Sequence, residues 1–494
     1  MSNDRSFLKH AFIFGTASLL TQAAGFLLIP LYTRYLDKDQ NGALEMLGRA
    51  AELAGLFVLV SGLKQGLVTF YQQRESDEER RRTVGAALFL VFCAPVVVGG
   101  LLIVLGSTFA GWLREDSRWL ALAVLATLLE PLHLLPLALM QARLESTRYF
   151  VVVLSQNLMR MALSILFVVQ FHWGVAGIFG ATALNGALFA ALLLGRELWR
   201  GVAWPDWRRI RGLLRFALPF LPGSVCFFVL QNGDRFFLKW LHGNEEVANY
   251  ALGYRLAQAV GTFSMVPLYM VWSSQLYAAA RSPDAPNIFA RVFTRTLAAF
   301  LFVGLGVSLF ESEAIALLGA GAYGAAIPVI APVLLANFFL SAASLMDTGF
   351  YVRNRTKNKL VITIAATAVM GALYALWIPA YGSMGAALAT LVGFVFLAVC
   401  TWRATQRIFP VAYEWRRLTG IVVLTAAYWF LSRPLPATPW LVPVKAVLWL
   451  SWPVLLWHLG LVSDDEKRYV LSLLSHSFGE RRGINPPVTA SPAN

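Results

Sequence analysis

Apolar runs of about twenty residues recur from one end of this 494-residue chain to the other, with short polar segments between them. Twenty helical residues extend about 30 Å, which is the thickness of the hydrocarbon core of a bilayer. A membrane β-barrel would show ten-residue strands with alternating apolar and polar positions, and the runs here are continuous. The pattern predicts an all-α polytopic membrane protein of about fourteen transmembrane helices. The predicted spans begin near Ala11, Ala43, Thr83, Trp119, Phe150, Val175, Phe216, Val247, Val292, Ala325, Leu360, Met384, Leu418 and Leu441.

The basic residues follow an alternation along the gaps between these spans. Only 14% of the residues are charged, and the net charge is +14. The odd-numbered gaps are poor in Lys and Arg, and the even-numbered gaps are rich in them, as in Arg80 to Arg82 and Arg353 to Lys359. Because basic loops stay in the cytoplasm, all even gaps and both termini are predicted to be cytoplasmic. Membrane topology therefore explains the basic charge better than nucleic-acid binding does.

Two stretches recur in the second half of the chain. A shift of 205 positions places Arg34 on Lys239, Ala43 on Ala248 and Gly48 on Gly253. A shift of 208 positions places Trp173-Gly174 on Tyr381-Gly382. Units with an even number of spans enter the membrane from the same side, so the halves are predicted to be parallel repeats. The predicted domains are an N-terminal lobe 1–196, a cytoplasmic interfacial linker 197–215, a C-terminal lobe 216–402, helices 13 and 14 in 403–461, and a partly disordered cytoplasmic tail 462–494.

The stretch from Asp234 to Arg255 lies at the centre of this organisation. Asp234 and Arg235 are predicted to end span 7, and a turn of about ten residues is predicted to lead into span 8. Both flanking helices carry charged residues where a lipid-facing helix would have none.

Ionisable residues inside the predicted spans are the candidate functional residues. Glu45, Arg49 and Glu52 are spaced by four and three residues, which places them on one helix face. A central charge facing lipid costs at least about 2.5 kcal/mol, so this face is predicted to meet a partner or water. Lys64 lies deeper in the same span, Arg160 is near the middle of span 5, and Arg255 in span 8 has a depth similar to that of Arg49. These four basic residues favour an anionic substrate.

The intramembrane carboxylates have two interpretations. Glu130 and Asp234 are candidates for coupling transport to an ion, because either could bind a proton or sodium. Glu45, Glu52 and Arg235 are equally explained as members of structural ion pairs, and Glu130 could pair with Arg160. A lone histidine such as His133 is more often a core residue than a site residue.

Three stretches resemble the polysaccharide-export flippases of the multidrug/oligosaccharidyl-lipid/polysaccharide superfamily. They are Gly15-Thr16 to Leu36, Asp234-Arg235-Phe236 to Arg255, and the Gly382/Gly385 motif, and the resemblance covers roughly residues 8–461. It implies two pseudo-symmetric six-helix lobes facing each other in a V, as in multidrug exporters of this superfamily, plus two C-terminal helices. It also implies flipping of a polyprenyl-pyrophosphate-linked oligosaccharide. In the related lipid II flippases cavity arginines bind substrate, a role that would fall to Arg49 and Arg255.

The leading functional hypothesis is therefore a secondary transporter of the bacterial inner membrane that is not an enzyme and needs no cofactor. Its expected partners are the lipid-linked oligosaccharide, a coupling proton or sodium ion, the bilayer, and polysaccharide polymerase or assembly proteins; nucleic acid is not expected. The first alternative is a cation-coupled multidrug exporter of the same fold. A polysaccharide polymerase or ligase is less favoured, because the predicted outer loops are short and carry no catalytic motif. The three cysteines lie within apolar runs and predict neither a disulfide nor a metal site.

Overall fold

The computed structural model describes residues 2–73, 76–204, 206–319, 321–433, 438–464 and 466–468. The chain forms two compact units, Met1–Tyr413 and Glu414–Asn494. Most of the predicted tail, from 469 to 494, lies outside the described residues. The boundaries of the two lobes stay predictions.

The described residues form a succession of helices. The first nine, which include the predicted linker, are α1 (Ser2–Leu27), α2 (Ile29–Tyr35), α3 (Lys38–Leu56), α4 (Val60–Gln72), α5 (Asp77–Leu113), α6 (Ser117–Ala142), α7 (Ser146–Ile165), α8 (Gly174–Trp199) and α9 (Trp207–Ala217). The next nine are α10 (Phe220–His242), α11 (Asn244–Arg281), α12 (Ala285–Leu309), α13 (Glu311–Gly319), α14 (Ile327–Met346), α15 (Thr348–Val352), α16 (Thr356–Ile408), α17 (Trp415–Ser432) and α18 (Val442–His458).

The helical, membrane-spanning character predicted by the apolar runs is confirmed. Within the described ranges, nine helices are long and apolar enough to cross a membrane, and the pair α3 and α4, bent by 44°, makes a tenth. One of the nine, α16, has 53 residues and is broken at Gly382, where φ is 51° and ψ is −131°. At 1.5 Å per residue it is about 80 Å long, so its two halves supply two spans. The exact count of fourteen stays a prediction.

The gaps between spans 3 and 4, between spans 7 and 8 and between spans 11 and 12 meet at one end of the helices. Lys239 at the end of α10 pairs with Glu115, which lies between spans 3 and 4. The backbone N–H of Ser383, between spans 11 and 12, donates to Glu246, which lies between spans 7 and 8. The N-lobe even gaps meet at the opposite end, where Arg143 donates to Tyr71. We call these the predicted outer end and the predicted cytoplasmic end. Which end faces the cell interior stays a prediction from loop charge.

Matching backbone conformations accompany the sequence repeat. Gly174 and Gly382 begin equivalent helices and have φ angles of 54° and 51°. Leu144 and Asn354, 210 positions apart, lie in the gaps before α7 and α16 and have φ angles of 57° and 52°. Few non-glycine residues adopt a positive φ. The two halves therefore share unusual local geometry at equivalent turns.

The predicted turn of about ten residues after Asp234 is wrong. Helix α10 continues through Asp234 and Arg235 to His242, and Gly243 alone separates it from α11. Gly243 has a φ of 85°, a value that glycine adopts without the steric penalty of a Cβ. The charged residues stay helical because they are buried with partners of opposite charge.

The predicted interfacial linker contains one short amphipathic helix, α9. Asp206 caps it by accepting a hydrogen bond from the backbone N–H of Arg208 at 3.0 Å. Ile210 and Leu213 are buried in a core with α4 and α5, whereas Arg211 and Arg215 are exposed. The exposed arginine face suits a membrane surface, and the interfacial position stays a prediction.

The second unit contains α17 and α18. The Tyr428 and Ser451 hydroxyls hydrogen-bond at 2.8 Å, and Trp452 Nε1 donates to Thr425 Oγ1 at 3.2 Å. These contacts join the two helices through polar groups on otherwise apolar faces.

Candidate functional site

Three arginines surround the buried carboxylate of Glu45. Arg49 Nε donates to Glu45 Oε1 at 2.9 Å, and Arg235 Nε lies 3.0 Å from the same oxygen. Arg255 Nη2 donates to Oε2. Glu45 and Arg49 are on α3 in the first half of the chain, whereas Arg235 and Arg255 are on α10 and α11 in the second half. The carboxylate therefore joins the two predicted lobes.

Local helix geometry explains the part of this arrangement on α3. Positions four and three apart lie on the same helix face, so Arg49 can reach acidic groups on both sides. Its Nη1 donates to Glu52 at 2.7 Å while its Nε donates to Glu45. We name the set of Glu45, Arg49, Glu52, Asp234, Arg235 and Arg255 the inter-lobe cluster.

Arg235 is the most enclosed member of the inter-lobe cluster. It is 1% exposed, its Nη1 lies 3.1 Å from Asp234 Oδ1, and the same nitrogen donates to the carbonyl of Gln231. Its guanidinium lies over the ring of Tyr254, 4.4 Å from the centroid. Cation–π contact and ion pairing together compensate for the loss of water around this charge. Arg235 is therefore held in place and is not accessible to a ligand.

Asp234 is similarly enclosed. Its Oδ2 accepts from the Tyr250 hydroxyl at 2.6 Å, and its Oδ1 accepts from the backbone N–H of Arg235 at 2.8 Å. The carboxylate is 1% exposed. Both oxygens are thus occupied by protein donors.

The inter-lobe cluster has no net formal charge, because its three arginines are balanced by three carboxylates. Two of the arginines remain partly open: the side chains of Arg49 and Arg255 are 27% and 33% exposed. Arg255 lines a small recess of about 20 Å³ together with Tyr32, Asn41 and Tyr323. An anion entering between the lobes would meet these two guanidinium groups and not that of Arg235.

The other predicted site residues lie apart from the cluster. Lys64 is on α4, beyond the bend in span 2, and Arg160 is on α7, where Nη2 lies 3.5 Å from Asn157 Oδ1. Within the described residues no ion pair joins either of them to the cluster. Tyr32 lies within electrostatic range of both Arg160 and Arg255, which places Arg160 at the edge of the same region.

Glu130 is exposed on α6, with Glu52 and Arg160 as its nearest charges. Glu130 and Arg160 therefore interact electrostatically, but among the described contacts they form no direct ion pair. Glu52 is near because α3 packs closely on α6, where a Cβ at Gly55 would lie 2.8 Å from Thr127. His133 is buried in α6, as its interpretation as a core residue implies. Among the described side chains no group of three or more His, Cys, Asp or Glu could hold a metal ion.

A second set of contacts joins the two halves at the predicted outer end. Lys239 Nζ lies 2.5 Å from both Glu115 Oε1 and Asn244 Oδ1, and Trp240 Nε1 donates to the carbonyl of Trp112. Glu115 cannot be identified from the sequence, because a loop carboxylate carries no local sign of a partner 124 positions away. Lys239 is marked in the sequence by the repeat and by its closeness to Asp234. The position of a lysine at the end of an apolar run is the signal that indicates a buried partner.

Comparison with known proteins places this arrangement in a family. A family model described as polysaccharide biosynthesis protein matches residues 7–272, which is more than half of the chain. The chain belongs to this family. No curated protein sequence matches the chain significantly.

Solved structures share the fold of this polysaccharide biosynthesis protein. It is similar to an inward closed conformation of the lipid II flippase MurJ, with a TM-score of 0.72 at 11% identity over 90% of this chain and 97% of the other. An inward-facing multidrug resistance MATE transporter of the MOP superfamily gives 0.65 at 14% identity, covering 82% and 96%. An outward-facing MATE transporter gives 0.53 at 13% identity, covering 85% and 96%. The chain therefore shares the fold of these flippase and transporter structures.

Proposed function

We propose that this family member flips a polyprenyl-pyrophosphate-linked oligosaccharide from the inner to the outer leaflet of the bacterial cytoplasmic membrane. One observation carries the proposal. The carboxylate of Glu45 in one half is held by Arg235 and Arg255 of the other half, next to arginine side chains that are open to the space between them. Glu45 and its arginines therefore hold the two halves together, and the arginines that are partly open are also within reach of an anionic headgroup.

The proposed mechanism is an exchange of anions. A pyrophosphate entering from the predicted cytoplasmic end competes with Glu45 for Arg49 and Arg255, whose planar forks bind phosphate oxygens in pairs. The surrounding protein has a low dielectric constant, which strengthens this attraction relative to water. Once Arg255 is engaged by phosphate, the link from Glu45 to α11 is lost. The contact of Glu45 with Arg235 on α10 is then the remaining ion pair of Glu45 that must break before the lobes separate at the predicted outer end.

The energetic requirement follows from the burial of Glu45. Removing one partner from a buried ion pair costs about 3–5 kcal/mol, because the remaining charge is left uncompensated. Outward opening separates Glu45 from Arg235 as well as from Arg255, so it is unfavourable without cargo. A ligand shifts such an equilibrium only by its differential affinity for the two states. Substrate phosphate supplies that difference by replacing Glu45 at Arg255.

Glu130 is the proposed residue for coupling to a proton or sodium gradient. It is exposed on α6, whereas both oxygens of Asp234 already accept hydrogen bonds from Tyr250 and Arg235. Because Glu130 is accessible, it can bind and release an ion during the cycle. Asp234 is enclosed and is therefore the weaker candidate. With Glu130→Gln we expect flipping that no longer responds to the imposed gradient. If both the rate and the ion dependence persist, Glu130 is structural.

The decisive experiment tests whether Arg49 serves the substrate or only balances its own helix. Purified protein is reconstituted in liposomes, and flipping of a polyprenyl-pyrophosphate-linked oligosaccharide is measured by accessibility to an added glycosidase. Arg49→Ala is compared with the triple variant in which Glu45 and Glu52 are also changed to Gln. We expect Arg49→Ala to abolish flipping and the triple variant to remain inactive. Full rescue in the triple variant would assign Arg49 to the scaffold.

Arg255 provides the matched comparison in the other half. Arg255→Lys keeps the charge but loses the paired hydrogen bonds, so we expect partial loss, whereas Arg255→Ala should lose nearly all flipping. Absence of flipping by the unaltered protein with polyprenyl-pyrophosphate oligosaccharides would refute the proposed function.

The second candidate is a cation-coupled multidrug exporter. It is supported by the zero net charge of the inter-lobe cluster and by the exposed carboxylates Glu52 and Glu130, which would suit a cationic drug. The same liposomes distinguish the two functions. Export of a cationic dye that requires Glu52 and Glu130 would favour the second candidate, and flipping that requires Arg255 would favour the first.

A further inference from the structure

A polar recess of about 340 Å³ lies at the predicted cytoplasmic end of the first half, away from the inter-lobe cluster. Three separate gaps form its wall: the end of α4 with the start of α5, the gap between α6 and α7, and the end of α8. Its polar lining consists of Tyr71, Asp77, Arg80, Arg81, Arg143, Glu145, Glu197 and Arg200. We name it the even-gap recess.

The base of the even-gap recess is a rigid ion-pair network. Arg143 forms two parallel hydrogen bonds of 2.9 Å to the buried carboxylate of Glu197 and donates a third to Tyr71. Glu145 accepts from Arg148 at 3.1 Å and from Arg196 at 3.0 Å. Paired arginine–carboxylate contacts of this kind fix geometry as well as charge. The wall is therefore preformed.

The network has more positive than negative charge. The lining contains four arginines, Arg80, Arg81, Arg143 and Arg200, and three carboxylates, Asp77, Glu145 and Glu197. The lining therefore has one excess positive charge, and Arg148 and Arg196 outside it pair with Glu145. Positive charges that line a concave, low-dielectric wall attract anions more strongly than the same charges on a flat surface.

Two arginines at the rim are placed to reach a ligand. Arg81 is exposed, its Nη1 lies over Gly201, and no carboxylate within the described ranges is in ion-pair distance of it. Arg200 reaches Glu145 and Glu197 only at 3.3 Å and 3.4 Å, and its side chain is 35% exposed.

We propose that the even-gap recess binds a phosphate group, held by Arg81 and Arg200 above the Arg143–Glu197 pair. Basic pockets between membrane helices on the cytoplasmic side are suited to lipid headgroups. The same chemistry would also take a free phosphate or pyrophosphate from the cytoplasm. The recess is separate from the inter-lobe cluster, so this proposal does not depend on the flippase function.

The test measures binding and not transport. The full chain is placed in phosphatidylcholine nanodiscs at low salt, because screening weakens exposed charges. One arm titrates pyrophosphate and follows the unfolding temperature; the other adds phosphatidylglycerol and counts retained lipids by native mass spectrometry. The variant Arg81→Gln/Arg200→Gln is compared with Arg355→Gln/Lys357→Gln, an exposed pair in another even gap with the same loss of charge.

We expect the recess variant to bind the phosphate probe at least about tenfold more weakly, as is typical when charged hydrogen bonds are lost, and the control to bind as the unaltered protein does. Asp77→Asn removes a negative charge from the wall and should tighten binding. Saturable binding of pyrophosphate identifies a soluble ligand, and retention of phosphatidylglycerol alone identifies a lipid ligand; both support the site. Equal weakening in recess and control variants, or binding of neither probe, overturns it.

Discussion

Gly42 provides the sharpest test of how the two halves close at the predicted outer end. Helix α3 approaches the start of α11 so closely that a Cβ on Gly42 would lie 2.0 Å from the backbone oxygen of Asn244. Gly42→Ala therefore forces the helices apart by more than about 1 Å before ordinary contact distances of 3.5–4.0 Å are approached. Backbone atoms cannot rotate away as a flexible side chain can. The closed state should lose stability relative to the open state.

The expected size of the effect follows from the chemistry of overpacking. Adding a methyl group to a tightly packed contact costs about 1–3 kcal/mol. A free-energy change of that size shifts a two-state population about 5- to 150-fold. Gly48 is the matched control, since it lies on the same helix and a Cβ there meets nothing within 4 Å. Both substitutions gain the same roughly 1 kcal/mol of helix propensity, so their difference isolates the contact.

The separation of the halves can be measured directly. Spin labels at positions 39 and 245, both exposed, report the distance between α3 and α11 by double electron–electron resonance. The three native cysteines are replaced by alanine in every sample. We expect Gly42→Ala to populate a longer distance and Gly48→Ala to keep the distribution of the unaltered protein. Identical distributions in the two variants would show that this contact does not hold the outer end closed.

Two further predictions concern topology and pH. Membrane-impermeant thiol reagents should label a cysteine at position 39 in intact cells but not at 78 or 355, and labelling at 78 or 355 would overturn the predicted orientation. Burial raises the pKa of the Glu145 carboxyl, but hydrogen bonds from Arg196 and Arg148 and the charge of Arg200 outweigh burial and lower the pKa to about 2, from an ordinary 4.5. A lowered pKa stabilises the fold above about pH 4.5, and the stabilisation is lost as the pH falls toward 2. The difference in unfolding temperature between the unaltered protein and Glu145→Gln should thus be constant above about pH 5 and shrink below it; a difference that changes between pH 6 and 8 would contradict this.

The elements of the fold could be predicted because they depend on local pattern. Continuous apolar runs identify spanning helices, and Gly174 and Gly382 begin their helices at the equivalent places that the repeat indicated. The contacts of the site could be predicted only where they are local, as between Arg49 and the acidic residues three and four positions away. Glu45 and Arg255 are 210 positions apart, and no period in the sequence relates them.

The error at Asp234 has the same origin. Charged residues near the end of an apolar run resemble the beginning of a loop, because exposed charges normally mark the membrane boundary. Here Asp234 and Arg235 neutralise one another, and Tyr250 and Glu45 complete their environment from other helices. Burial with partners removes the cost that would have ended the helix. Only the tertiary arrangement distinguishes a buried pair from a helix end.

In the proposed cycle the charges of the inter-lobe cluster divide between the two halves when the halves separate. This division decides which arginine an anion binds. When α3 moves away from α10 and α11, it takes Glu45, Arg49 and Glu52, so its wall carries one net negative charge. The opposite wall keeps Asp234, Arg235 and Arg255 and carries one net positive charge. Asp234 remains bound to Arg235, and the free positive charge is therefore on Arg255. In the proposed flippase cycle we therefore expect an anionic headgroup to travel against the α11 wall, and we expect the return of Glu45 to Arg255 to displace it as the predicted outer end closes.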